Sequence, residues 1–210
     1  MRSILASQRL RAGLLLLAAA MALQGCIDAL ILGGAATGVM VATDRRQPEV
    51  MLGDQRIEIV AGSRIDDELK DRGHVNLTSY NYTVLLTGEV PSAELKARLE
   101  RIVSQVPQVK SVVNELQVAG VSSLASRSND AYITGKVKGN FITAQVDNVK
   151  VVTEASVVYL LGLVTRQEAD AASNVARETG GVQKVVRVFE YISAPPQPQQ
   201  PASAPNGAKR

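Results

Sequence analysis

Tryptophan is absent from this 210-residue chain, histidine and cysteine occur once each, and phenylalanine occurs twice. Cores must therefore be assembled from Val, Leu, Ile and Ala. The single cysteine, Cys26, excludes an internal disulfide. The single histidine, His74, stands at the entry to an expected strand, and no cysteine nucleophile or marked serine partner accompanies it, so it reads as a structural or solvated residue. P-loop, dinucleotide and zinc-ligand spacings are all missing, and no catalytic residue, cofactor or metal is expected. Asp66, Asp67, Glu68 and Asp71 form an acidic cluster, but successive helical positions point apart, which suits a solvated face.

An excess of one charge is missing too. The chain has 23 Lys plus Arg against 20 Asp plus Glu, and Arg2, Arg9 and Arg11 all precede the first acid. Beyond them 20 basic residues face 20 acidic ones, so a global attraction to nucleic acid or anionic membrane is not expected. The uncharged run Ala12–Leu23 is too short to span a bilayer and has the length of a signal-peptide core. It ends in Leu23-Gln24-Gly25-Cys26, which resembles the lipobox of bacterial lipoproteins. That resemblance implies cleavage before Cys26 and acylation of its thiol and new amine. Several acyl chains, each contributing about 0.8 kcal/mol per buried CH₂, would make attachment effectively permanent. The same resemblance, with enterobacteria-like sorting, implies that Ile27 in place of an Asp favours the outer membrane.

Residues 27–43 are apolar and Gly/Ala-rich, either an interfacial segment or a flexible spacer. Residues 193–210 carry Pro195, Pro196, Pro198, Pro201 and Pro205 among Gln, Ala and Ser, a composition expected to form a disordered tail. Between these ends the chain repeats itself. Val84-Leu85-Leu86-Thr87-Gly88-Glu89-Val90 aligns with Val158-Tyr159-Leu160-Leu161-Gly162-Leu163-Val164, and Val109–Val113 aligns with Val182–Val186 after one gap.

Each copy reads as helix, strand, strand, helix, strand. Ile57, Ala61, Ile65 and Leu69 recur at helical spacing in the first. Val75, Leu77 and Ser79 alternate up to a turn at Tyr80 and Asn81. Leu95, Leu99, Ile102, Val103 and Val106 stripe the next helix, and Val112, Asn114, Leu116 and Val118 close the unit as one strand. In the second copy Ser128-Asn129-Asp130 is expected to cap a helix with Ile133, Val137 and Phe141 on its core face. A hairpin follows across Glu154, Ala155 and Ser156, then a Thr165–Glu168 capping box. Gly88 and Gly162 are expected at tight strand-to-helix turns. The second and third strands of each copy, joined through a helix, should be parallel with a right-handed crossover.

The fold class is therefore α+β: two domains, each a mixed three-stranded sheet packed on two helices. The expected division is 1–25 signal peptide, 26–51 anchored linker, 52–120 first domain, 121–127 linker, 128–192 second domain and 193–210 tail.

The glycine-centred repeat resembles the BON domain, most strongly in Val84–Gly88, Ser128-Asn129-Asp130 with Tyr132-Ile133-Thr134, and Val149-Lys150-Val151. Two such copies behind a lipobox are similar to the dual BON-domain outer-membrane lipoproteins of Gram-negative bacteria. The resemblance implies binding rather than catalysis: support of outer-membrane integrity from the periplasmic face, recognition of anionic phospholipid such as phosphatidylglycerol, and gathering at the division site. It also implies that the first helix of the second domain touches lipid, with its leading aromatic at Tyr132. From the residues alone, Tyr132, Gly135, Lys136, Gly139 and Ile142 share a face the core does not need, with Lys138 nearby. That face suits interfacial insertion with phosphate contact, or packing of Tyr132 and Ile142 against the first domain or residues 117–127. A protein-interaction adaptor serving outer-membrane assembly, division or peptidoglycan-remodelling machinery is the rival reading.

Cys26→Ser is expected to abolish incorporation of labelled fatty acid in cells. Label retained by the variant would place the anchor elsewhere.

Overall fold

The computed structural model describes residues 44–193. The signal segment, Cys26, the apolar stretch 27–43 and the proline-rich tail from residue 194 lie outside the described residues.

Helix α1 (Pro48–Leu69) opens with proline in its first turn, where no amide hydrogen bond is lost, and closes on Lys70 in the left-handed region. It takes in residues 48–51, expected in the linker. Ile57, Ala61, Ile65 and Leu69 are its buried stripe, as their spacing required. The hairpin β1 (His74–Tyr80) and β2 (Thr83–Val90) is antiparallel. Its turn falls at Asn81 and Tyr82, both with positive φ, one residue later than expected, and Tyr80 remains a strand residue. Helix α2 (Ala93–Ser104) is capped by Ser92, whose hydroxyl accepts from the Leu95 amide.

The expected single closing strand is broken into β3 (Ser111–Asn114) and β4 (Gln117–Val118), both parallel to β2. At the break the Glu115 amide still donates to the Leu86 carbonyl, while Leu116 turns fully into the core.

The second unit repeats the order. Helix α3 (Leu124–Thr143) is followed by β5 (Lys150–Glu154), β6 (Val157–Val164), α4 (Arg166–Glu178) and β7 (Lys184–Tyr191). β5 pairs antiparallel and β7 parallel to β6, which gives the mixed sheet expected from the crossover. The capping box at Thr165 and Glu168 is present. Leu77 faces Leu86 as Val151 faces Leu160, so the two hairpins correspond at a constant offset of 74 residues. Val84 faces Val112 as Val158 faces Val185, so the third strands correspond at 73, the one-residue gap seen in the sequence.

Ser128-Asn129-Asp130 is not a cap. The helix begins four residues before Ser128, behind Ser123, whose hydroxyl accepts from the Ser126 amide; residues 124–127 thus belong to α3 rather than to the linker. Asp130 lies inside α3, buried, and its two carboxylate oxygens accept from the amides of Ala155 and Ser156 at 2.9 and 2.8 Å. Those two turn residues have positive φ, so their amides point off the hairpin toward the helix. Asp54 does the same in the first unit, accepting from Asn81 and Tyr82 at 2.8 Å each. A carboxylate that accepts two backbone amides both satisfies its own burial and fixes the hairpin on its helix.

Gly88 and Gly162 are likewise corrected: both lie inside strands, β2 and β6, ahead of the turns into α2 and α4. What requires glycine is a neighbouring backbone. A Cβ on Gly88 would stand 2.1 Å from the His74 carbonyl oxygen, and one on Gly162 would stand 2.6 Å from that of Asn148. Gly88 also has φ +114°, a region closed to other residues at low cost.

Alternation along β2 sends Val84, Leu86 and Val90 into the first core and Leu85, Thr87 and Glu89 to the opposite face of the sheet. In β6, Val158 and Leu160 enter the second core, while Tyr159 and Leu161 point the other way. Those outward residues are buried as well. Tyr80, Leu85, Tyr159 and Leu161 form a third core with Val113, Val152, Val186 and Val188 around it. The sheets thus meet face to face, with the helices on the two outer sides.

Gly88→Ala is expected to destabilise the chain by roughly 1–3 kcal/mol from backbone strain, before any steric shift. Gly62→Ala, on α1 with open space around the new methyl group, should stabilise it by about 0.5–1 kcal/mol. Urea midpoints of the two variants check the pair.

Candidate functional site

The buried side of α3 is set by Asp130, Ile133, Val137 and Phe141. At about 100° per residue, Tyr132, Gly135, Gly139 and Ile142 fall within an arc of about 80° on the opposite side. Tyr132 is 67% exposed, Ile142 81% and Leu124, at the helix start, 75%. Packing of Tyr132 and Ile142 against the first domain or the linker, one of the two alternatives open from sequence, is not what the fold does with them. Gly135 and Gly139 lie between them with nothing within 4 Å of where a Cβ would stand. A glycine inside a helix costs roughly 0.5–1 kcal/mol relative to alanine, and no neighbour within the described residues requires either of them.

The lysines divide between the two ends of this face. Lys136 is half-buried: its Nζ donates to the Gly180 carbonyl and lies 5.5 Å from the centroid of the Tyr132 ring. It therefore holds the ring by a cation–π contact as well as offering charge. Lys138 is exposed and one helical turn before Ile142. Asp130, the only acidic residue of α3, is buried against the hairpin, so the charge this helix shows to solvent is positive. The result is an apolar, partly bare helix face edged by lysines, which fits a surface offering both hydrocarbon and anionic oxygen. Among the described residues no helix is long and apolar enough to cross a membrane.

The BON domain pattern matches this chain twice, over residues 54–120 and 129–193. The chain belongs to the BON-domain family. It is 39% identical over 183 residues to the outer membrane lipoprotein DolP of Haemophilus influenzae, across 85% of this chain and 94% of that one. It is therefore a dual BON-domain protein of the DolP kind. A 21 kDa hemolysin of Actinobacillus pleuropneumoniae is 29% identical over 150 residues, across 63% of this chain and 77% of that one. CdsD, a structural protein of the type III secretion system of Chlamydia trachomatis, is 15% identical across 61% of this chain and 90% of that one, with a TM-score of 0.27, too loose to carry any inference.

Sequence reasoning missed the segment that fastens the two BON domains together at the N-terminal end. Arg45 makes a bidentate pair with Glu168 at 2.6 and 2.9 Å and donates to the Leu163 carbonyl at 2.8 Å, all in the second domain. Arg46 reaches Asp54 at 2.9 Å in the first, and its guanidinium lies 4.0 Å over the Tyr80 ring. Burial works to raise the pKa of Asp44, and the bonds and charge of Arg46 outweigh it, leaving it below the ordinary value. Burial, with the charges of Glu115 and Glu154 behind it, pushes the Tyr159 phenol up to about 12, so that interface residue stays neutral.

The Arg45 hydrogen bond, with those from Thr165, brings Glu168 down to about 2 from an ordinary 4.5. The folded state thus favours the ionised form, and the pair stabilises above pH 4.5, with the effect lost as pH falls through about 2. Arg45→Met should accordingly lower the urea midpoint at neutral pH, and the pH-dependent part of the gap from the parent should close between about pH 5 and pH 2. Denaturation curves at several pH values measure it.

Proposed function

We propose that this chain is a lipid-anchored protein of the outer membrane, facing the periplasm, whose second BON domain engages anionic phospholipid through the exposed face of α3. Acylated Cys26 supplies permanent attachment, while α3 reads the lipid itself, phosphatidylglycerol-like headgroups included. The role that follows is support of outer-membrane integrity, at the division site among other places.

The observation that carries the reading is the outward face of α3: Tyr132 and Ile142 exposed, bare backbone between them, and Lys136 and Lys138 at the edges. An aromatic with a polar tip suits the interface, where its ring sits among acyl chains and its hydroxyl among headgroups. The likeness to an outer membrane lipoprotein over most of both chains supports the same location.

A second reading, an adaptor for outer-membrane assembly, division or peptidoglycan-remodelling proteins, draws on α1. Leu52, Ile59 and Val60 are exposed there on the first BON domain.

Liposome flotation with residues 44–210 tests the choice. Tyr132→Glu should abolish binding to phosphatidylglycerol vesicles with the melting temperature unchanged. Ile142→Ser, which withdraws a side chain whose burial contributes about 1.5–3 kcal/mol, should weaken binding roughly tenfold or more. Lys138→Glu should weaken it mainly at low salt, since an exposed contact is screened. Equal flotation by the parent and Tyr132→Glu would defeat the reading.

A further inference from the structure

The constant offset between the hairpins makes the two ends of the domain interface comparable. Tyr80 and Glu154 occupy corresponding positions, each at the end of a first strand beside the turn. Leu163 and Glu89 correspond in the same way on the second strands. Where Tyr80 and Leu163 lie, Arg46 covers the ring and Arg45 takes the carbonyl. The opposite end has Glu154, Glu89 and His74, and among the described residues no lysine or arginine closes it.

Both carboxylates there are buried, with the Glu89 side chain only 8% exposed. Glu154, from the second domain, accepts from Asn76 at 2.7 Å and from Thr87 at 3.3 Å, both in the first. Glu89 accepts from the Ser122 amide at 3.1 Å. Among the described residues no lysine or arginine pairs with either one. The nearest cationic candidate is His74, whose Nδ1 lies 3.6 Å from Glu89 Oε2, beyond hydrogen-bond reach. That Nδ1 is buried and has no partner, and so is the hydroxyl of Ser122, whose amide holds Glu89. Two buried carboxylates facing each other carry an electrostatic cost that neutral donors do not cancel.

One ring nitrogen and one oxygen from each of the two carboxylates lie within 4.8 Å of one another. Ligands at about 2.1 Å around a tetrahedral zinc ion stand about 3.4 Å apart, a spacing that rotation of the three side chains can close to. With its proton on Nε2, His74 presents a lone pair at Nδ1, and the ring is 20% exposed, which leaves a way in. Imidazole and carboxylate together are a donor set for zinc and similar divalent transition ions, whereas magnesium and calcium ask for oxygen alone.

We infer that His74, Glu89 and Glu154 form a zinc-type divalent-cation site that pins the second BON domain to the first. Two ligands come from β1 and β2 and the third from β5, so the ion bridges the sheets at the end the arginines do not reach. Glu89 also holds Ser122, in the link that enters α3, so the same ion steadies the approach to the exposed helix. The corresponding positions in the second domain are Asn148 and Leu163, which lack the donors; the repeat yields one site, not two.

The test uses the untagged, acylated full chain in detergent, stripped with chelator and titrated with zinc chloride against a chromophoric competitor. One equivalent should bind, and at free zinc about 100 times Kd the folded-to-unfolded ratio should rise about 100-fold, read as a higher melting temperature. His74 is the only histidine, so its ring ¹⁵N resonances report ligation directly, with the Nδ1 signal moving on zinc addition. His74→Gln and Glu154→Gln should each weaken zinc at least about tenfold. Asp66→Asn together with Asp67→Asn, in the exposed acidic cluster of α1, should leave zinc binding as it was. Should either site variant fail to fold, the parent's Nδ1 shift and the Asp66/Asp67 variant still decide. An Nδ1 resonance that zinc leaves in place, zinc binding as tight in folded Glu154→Gln as in the parent, or equal stabilisation by magnesium overturns the site.

Discussion

Leu85 and Tyr80 of one sheet meet Leu161 and Tyr159 of the other, and most of the remaining architecture depends on that contact. Full burial of a leucine contributes about 1.5–3 kcal/mol, so Leu85 and Leu161 together reach a good part of the 5–15 kcal/mol by which a domain is stable. The polar links across the same boundary differ in strength with their exposure. A part-buried hydrogen bond to a carboxylate, such as Asn76 to Glu154, contributes about 1.5–3 kcal/mol, the exposed Asn81 to Glu190 bond less, and the half-exposed Lys150–Glu58 pair about 0–1 kcal/mol. Apolar burial holds the domains together, and the polar links orient them. β2 and β6 become strands buried on both faces, which neither could be in a lone BON domain.

The helices end up outside as a consequence. With the sheets occupied by each other, α3 has only its inner side covered, and its outer side is left to whatever meets the protein. Asp130 completes that separation. Its carboxylate turns inward to hold the hairpin amides, so the one acid of the helix is withdrawn from the surface and the lysines remain. A single buried interaction therefore serves the fold of the second domain and the charge of its exposed face at once. Asp54 performs the first of these duties in the other domain but is also committed to Arg46.

Much of this was legible in advance because it is local or periodic. The helical stripes, the alternation of Val75, Leu77 and Ser79 in β1, the capping box at Thr165 and the parallel third strands all follow from spacing within one element or its immediate neighbour. The errors share a cause. Ser128-Asn129-Asp130 has cap chemistry, yet Asp130 answers to amides 25 and 26 residues away, a partner no local pattern contains. A signal did exist: Asp-x-x-Ile stands in both copies, at Asp54-Ile57 and Asp130-Ile133, which marks the aspartate as part of the buried stripe. Gly88 and Gly162 were rightly singled out as places without room for a Cβ, but the obstruction is the backbone of the neighbouring strand rather than a turn.

From sequence alone the chain determined a duplicated α+β unit, its strand order, and the residues of α3 that its own core would not use. Those properties depend on periodicity, and periodicity is written along the chain. Only the tertiary structure decided that the two sheets share a core, that Tyr132 and Ile142 stay uncovered, and that Arg45 and Arg46 close one end of the interface while His74, Glu89 and Glu154 gather at the other. The outer faces of β2 and β6 carry apolar residues, Leu85 on one and Tyr159 and Leu161 on the other, and what covers each lies in the other copy of the repeat. Which surface covers them is a matter of shape and register between two folded units, and no spacing within either unit encodes it.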